Sequence, residues 1–167
     1  MDTMLIRRAT EPDISQLCLL YREFHLYHVL AFPDWLHVPD DASLDAWETN
    51  TVQQELLNII RREDAALFVV EIEGKVVGLA EAYLRQDEEQ PLTIAHRYGY
   101  LQSLLVSTPY RKRGLGDALM KAVHHWAKEK GATEIQLDSW EFPEGPVQFY
   151  ERLRYRTLRR HMVIDLL

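Results

Sequence analysis

From Leu115 onward the apolar side chains fall at Ala118, Leu119, Ala122, Val123, Trp126 and Ala127, with Lys121, His125, Lys128 and Glu129 off that stripe. This spacing predicts an amphipathic helix. Gly131 stands where a left-handed glycine closes such a helix. Residues 133–138 then alternate polar and apolar like a strand. An apolar run ending at Val106 precedes the helix, so the order is strand, loop, helix, strand. Upstream, Thr10-Glu-Pro-Asp has the form of a helix start, with Thr10 as N-cap, proline in the first turn and acid near the positive end. Glu73-Gly74-Lys75 separates two strand-like runs and predicts a hairpin. A second helical pattern near Thr51 carries Leu56, Leu57, Ile59 and Ile60. The polar stretch 86–97 predicts a mobile loop. The stretch 28–45, rich in proline and aromatic residues, breaks the pattern. No internal repeat or linker interrupts the chain.

The loop before the Leu115 helix holds Arg111, Lys112 and Arg113, then Gly114-Leu-Gly116. Glycine lets backbone approach a ligand closely, and a helix N-terminus presents unpaired N–H groups and a positive dipole end. The arrangement predicts an anion cradle sized for a pyrophosphate. The chain has no G-x-x-x-x-G-K-[ST] phosphate loop. A dinucleotide-binding G-x-G-x-x-G is nearly present, but Leu119 occupies the third glycine position, where close helix–strand packing needs glycine. Glu134 or Asp138 supplies the acid that such a motif wants farther on. A nucleotide-binding oxidoreductase-like domain is therefore one rival reading.

Arg111-x-x-Gly114-x-Gly116 resembles the Q/R-x-x-G-x-G/A signature of the GNAT family of N-acetyltransferases, and 148–155, Gln-Phe-Tyr-Glu-Arg-Leu-Arg-Tyr, resembles its F-Y-E-x-L-G-F/Y element. The resemblance covers nearly the whole chain. It implies an α/β fold of the acyl-CoA N-acyltransferase type, with a mixed, mostly antiparallel twisted sheet of six to seven strands and about four helices. Strands are then expected at 4–9, 65–71, 75–84, 99–107 and 133–139, with terminal strands over 155–166 and the first helix at 11–30.

Length and composition agree. A chain of 167 residues is expected to form a single domain over 1–167. Apolar content of 47% and charged content of 27% are ordinary for a globular protein, and no apolar run is long enough for a membrane helix. The net charge of −7 argues against a nucleic-acid binder. The N-terminus does not read as a signal peptide. The one cysteine, Cys18, excludes an intramolecular disulfide and points to a reducing cytoplasm.

The resemblance implies direct acetyl transfer from acetyl-CoA, released as CoA, to an amine, with no nucleophilic side chain. The acceptor could be a small metabolite, a polyamine, an antibiotic amine or a peptide or protein amine. Tyr150 matches the family's motif tyrosine and becomes the expected general acid; from pattern alone it would be a core tyrosine. Cofactor binding is expected from the backbone around Leu105 and Val106, from Arg111 and Lys112, and from the amides of Arg113, Gly114, Gly116 and Asp117, with Tyr150 beside the sulfur. Relatives often carry acids late in the fourth strand, where this chain has Gln102 and Ser103. Glu81 is the best remaining base, followed by Asp138 and Glu141, with a water chain as an equal alternative. The absent acids also leave open a non-catalytic acyl-CoA-binding module. Pro143, Val147 and Arg154 depart from the asparagine, alanine and glycine that are usual in the family. Tyr27, His28, Trp35, Glu81 and Trp140 are candidate acceptor contacts. His25 and His28 share a helix face, but nothing completes a metal site around them, so none is expected. His124 and His125 read as surface residues. The resemblance is compatible with a homodimer.

Overall fold

The computed structural model describes residues 3–38 and 49–166. Five strands form one sheet in the order β1-β2-β3-β4-β5: β1 Met4–Arg8, β2 Ala65–Ile72, β3 Lys75–Gln86, β4 Arg97–Val106 and β5 Glu134–Leu137. The first four pair antiparallel, and β5 runs parallel to β4. The helices are α1 Ile14–Ala31, α2 Asn50–Arg61, α3 Leu115–Glu129 and α4 Val147–Arg152. Among the described residues the mixed, mostly antiparallel sheet and four helices match expectation, but the sheet has five strands rather than six or seven. The expected terminal strands are missing, because 155–166 finds no ladder partner among the described residues.

Each face of the sheet is covered. On one side α3 packs Leu119, Met120, Val123 and Trp126 against Val77, Ala80, Ala82 and Leu101. On the other, Leu17, Cys18 and Leu20 of α1 and Leu56 of α2 pack on Val69, Leu79 and Leu105. β2 and β3 are buried on both faces, so they read as near-continuous apolar runs rather than alternating ones. Their hairpin turns on Glu73 and Gly74, both at positive φ (50° and 79°), with Ile72 opposite Lys75. That is the two-residue turn favoured between twisted strands. α3 closes as expected: Gly131 adopts φ 81°, its N–H donates to Lys128, and the Ala132 N–H donates to Ala127.

The start of α1 is tied to β1. The Arg7 guanidinium donates two bonds to Asp13, at 2.7 and 2.8 Å, and its Nε donates to Glu71. Asp13 also accepts from the Thr10 N–H and hydroxyl. The hydrogen bond from Arg7 outweighs burial and holds the Asp13 carboxyl at about 2, below its ordinary 3.8. A folded value below the unfolded one stabilises the protein fully above about pH 4, and the contribution is lost as pH falls toward 2. Asp13→Asn is therefore expected to lower stability by about 2 kcal/mol at neutral pH and by little near pH 2. Urea unfolding at the two pH values measures this; equal losses at both would contradict it.

Candidate active site

The chemistry-bearing residues gather where β4 and β5 separate. Glu81 on β3 lies opposite Ser103, and Ala82 lies opposite Leu101, so Gln102 is an extra, bulged residue on β4. The β4–β5 ladder ends at Leu101 opposite Leu137. The sheet therefore opens at the bulge, and residues 102–106, including Leu105 and Val106, pair with no described strand on that side.

Beyond Val106 a short turn, Thr108–Tyr110, leads into the glycine loop. Lys112 (φ 61°) and Gly114 (φ 76°) are both left-handed. The first helical bond of α3 runs from the Ala118 N–H to the Gly114 carbonyl at 3.1 Å. The N–H groups of Leu115, Gly116 and Asp117 thus have no intrahelical acceptor. A Cβ on Gly116 would sit 3.2 Å from the Phe149 ring, whereas one on Gly114 would meet nothing within 4 Å. The loop thus leads into three open backbone N–H groups at the start of α3, and α4 packs close beneath it.

The basic triplet does not act as one unit. Arg111 is turned inward: its Nε donates to the Val106 carbonyl at 2.8 Å, its Nη2 lies 3.7 Å from Glu23, and its guanidinium sits over the Tyr27 ring. Arg113 stacks on Tyr110 and donates to the Pro109 carbonyl. Glu23 of α1 organises this turn, accepting from the Thr108 N–H and from the hydroxyls of Ser107 and Thr108 at 2.8 to 2.9 Å. Burial pushes Glu23 up, but these hydrogen bonds and Arg111 outweigh it and hold the carboxyl below its ordinary value. Sequence reading missed Glu23, because its partners lie more than eighty residues away.

Glu81 is only 6% exposed and does not lie at a solvated strand edge. It accepts from the hydroxyls of Tyr21 (2.6 Å), Tyr83 (2.5 Å) and Ser103 (3.2 Å). Burial and then Glu81 itself raise both phenols well above their ordinary value, so both remain donors. Tyr83 carried a signal in the sequence, two residues from Glu81 on a strand; Tyr21 carried none. Of the other acids, Asp138 accepts from Tyr100 at 2.8 Å near the surface.

Tyr150, on α4, packs against the α3 side of the core with Phe149 and Tyr155. Burial pushes its phenol up to about 12. Arg154 adopts φ 67° directly after α4, in the place of the family's glycine, and the Tyr155 N–H reaches back to the Tyr150 carbonyl at 3.0 Å. His124 is not a free surface group: its Nε2 lies 2.7 Å from the Tyr155 hydroxyl, and burial lowers its pKa. His125 is exposed, beside Glu129.

Tyr27 and His28 meet edge to face, and Trp35 and Trp140 lie in the same cluster with Phe32 and Phe142. This wall joins the end of α1 to the loop after β5. Trp35 and Trp140 remain exposed. Residues 39–45 of the expected aromatic and proline stretch lie outside the described residues. His25 and His28 each bond a backbone carbonyl, His37 and Phe24 respectively, and the described residues contain no metal-binding cluster. Among the described residues no helix is long and apolar enough to cross a membrane.

Known proteins resemble this chain in sequence and fold. The chain is 29% identical over 102 residues to an aminoglycoside N(6')-acetyltransferase type 1 of Klebsiella aerogenes, which covers 57% of this chain and 66% of that protein. It is 30% identical over 93 residues to a glucosamine 6-phosphate N-acetyltransferase of Trypanosoma brucei brucei, covering 56% and 59%. The chain thus spans less than two thirds of either relative. Among solved structures, a point mutant of the BH1408 protein from Bacillus halodurans superposes with a TM-score of 0.87 at 22% identity, over 98% of this chain and 99% of that one. The aminoglycoside acetyltransferase AAC(6')-Iy, in complex with a bisubstrate analogue, superposes with a TM-score of 0.69 at 21% identity, over 98% and 97%. These likenesses place the fold. The pattern of the acetyltransferase (GNAT) family matches residues 22–155, most of the chain and all of the strand opening, loop and α4 described above. The protein belongs to the GNAT acetyltransferase family.

Proposed function

We propose that residues 1–167 act as one N-acetyltransferase domain that moves an acetyl group from acetyl-CoA directly to a primary amine. The observation that carries this reading is the sheet opening at bulged Gln102, which leads into a left-handed glycine turn and a helix start with open amides. Bound acetyl-CoA supplies an activated acetyl thioester. The open amides of Leu115, Gly116 and Asp117 and the loop backbone at Arg113 and Gly114 fit its pyrophosphate, with Lys112 as the cation of the triplet left to face it. The unpaired edge at Leu105 and Val106 fits an extended pantetheine arm. Arg111 acts as a positioning residue, fixing the end of β4 against α1.

In this reading the opening lets groups from the two faces of the sheet act on one bound thioester. Tyr150 stands on the α3 side and Glu81 on the α1 side. Tyr150 is a weaker acid than a thiol, which lies near 8.5. Its part is therefore a hydrogen bond to sulfur as charge develops there, not a full proton transfer. Glu81 receives the proton that the acceptor ammonium loses, through the hydroxyls of Ser103 and Tyr83. The aromatic wall of Tyr27, His28, Trp35 and Trp140 lines the acceptor side, where ring faces attract a cationic amine. Aminoglycosides and aminosugars head the list of acceptors, because the relatives named above act on such amines. The buried single cysteine is in keeping with a reducing cytoplasm.

Calorimetric titration with acetyl-CoA, with NAD as control, followed by thiol release over a panel of amines, tests the reading. Binding with no transfer to any amine would favour an acyl-CoA-binding module, and NAD binding alone would overturn the family's chemistry here. Glu81→Gln is expected to lower turnover by about 10²-fold while acetyl-CoA affinity holds. A parallel melting curve separates this from any loss caused by leaving Tyr21 without its carboxylate. Unchanged turnover would remove Glu81 from the reaction.

A further inference from the structure

The β2–β3 hairpin and the loop before α3 border an open cavity of about 480 Å³. Ile72, Glu73 and Lys75 line it from the hairpin, and Pro109, Tyr110 and Arg113 from the loop. Strand register explains the meeting: Gly78 lies opposite Val106, so the start of β3 stands beside the loop that continues β4. Tyr110 carries two cations over its ring, with the Lys75 ammonium 5.9 Å from the ring centroid and the Arg113 guanidinium 5.4 Å from it.

These two cations differ from most others in the chain. Arg7, Arg61, Arg62 and Arg111 each face a carboxylate, whereas neither Lys75 nor Arg113 forms an ion pair with a described residue. Glu73 lines the same cavity, so its charged lining is two cations against one carboxylate. Like charges held over one ring repel, and an anion placed between them relieves that repulsion. On a body of net charge −7 this is a local anion site. Its volume falls in the range of pockets for organic ligands, about 300–1,000 Å³, and far exceeds what a bare phosphate fills. It also adjoins the open amides at the start of α3, since Arg113 lines it and Gly114, the next residue, caps that helix. One residue spans about 3.8 Å, so a pyrophosphate on those amides and a group in the cavity can belong to one ligand.

We propose that Lys75 and Arg113, steadied by Tyr110, bind the phosphate monoester on the ribose of acetyl-CoA, so that the protein selects the phosphorylated donor over its dephospho form. The proposal rests on the acetyl-CoA reading above and adds to it a specificity residue, Lys75, that lies on β3 outside the glycine loop. An ammonium and a guanidinium both make charge-assisted hydrogen bonds to phosphate. A phosphate monoester carries about −1.5 to −2 charges at neutral pH, which two cations match better than one.

Calorimetry on the full chain compares CoA with dephospho-CoA, which lacks only that phosphate. The parent is expected to bind CoA at least about tenfold more tightly. Lys75→Met keeps an apolar stem against Tyr110 and removes the charge. It should narrow the ratio to about threefold or less, with dephospho-CoA affinity unchanged. Arg113→Gln should narrow it as well, and Glu73→Gln, which removes the carboxylate lining the cavity, should widen it. A lost fold would weaken both ligands alike and could not move the ratio in opposite directions. Equal affinity of the parent for the two ligands, a ratio indifferent to these substitutions, or an equal loss for both ligands would each overturn the site while the acetyl-CoA reading stands. Binding of neither ligand by the parent would remove that reading and the site with it.

Discussion

Replacing Tyr150 by phenylalanine is expected to lower turnover by about 10- to 100-fold while leaving acetyl-CoA affinity near that of the parent. The magnitude is that of one hydrogen bond to a developing charge, about 1.5–3 kcal/mol. The ring itself packs among Phe149, Tyr155 and the α3 side of the core, and phenylalanine keeps that packing. The loss should therefore appear in kcat rather than in binding or in melting temperature. Because burial lifts the phenol to about 12, it stays protonated through the neutral and mildly alkaline range. The variant should then run parallel to the parent across that range, lower by a constant factor. An alkaline limb present in the parent and absent in the variant would show that Tyr150 ionises during the cycle, contrary to its placement. Equal turnover would remove it from the mechanism.

Gly114→Glu is expected to abolish acetyl-CoA binding. A Cβ at this position meets no protein atom within 4 Å, so the new side chain projects into open space at the start of α3. There a carboxylate would meet the open amides proposed to hold the pyrophosphate and would repel it. The left-handed backbone, φ 76°, adds strain for any side chain, about 1–2 kcal/mol. Gly114→Ala separates the two effects, because it carries the strain without the charge. The alanine variant should lose stability as the glutamate variant does, yet still bind. Calorimetry on both gives the answer, and parent-like binding by the glutamate variant would mean that the loop does not hold the phosphates.

The sequence made local features legible where a single residue carries a single demand. Gly131 and the Glu73–Gly74 turn were readable because positive φ selects for glycine or tight-turn chemistry. Arg154 is the instructive exception. The geometry after α4 asks for a left-handed residue, and the fold imposes it on arginine because the neighbouring N–H bonds to Tyr150 and Glu151 hold the turn shut. The α3 stripe was legible from periodicity, although Met120, fully buried, was not counted in it. The glycine loop was legible as a cradle. Which of its cations is turned inward was not, since Arg111, Lys112 and Arg113 look alike until the Val106 carbonyl and Glu23 claim the first.

By itself the sequence determined the family and the order of the first five strands, because each rests on residues close together along the chain or on one contiguous motif. Only the tertiary structure decided what happens between distant segments. It buried Glu81 under Tyr21, Tyr83 and Ser103. It used Glu23 to hold a turn on another strand and joined His124 to Tyr155. Among the described residues it also left 156–166 without a ladder partner. Hydrogen-bond partners and strand pairings are set by distance in space, and a strand-like pattern says that a segment can pair, not which edge receives it.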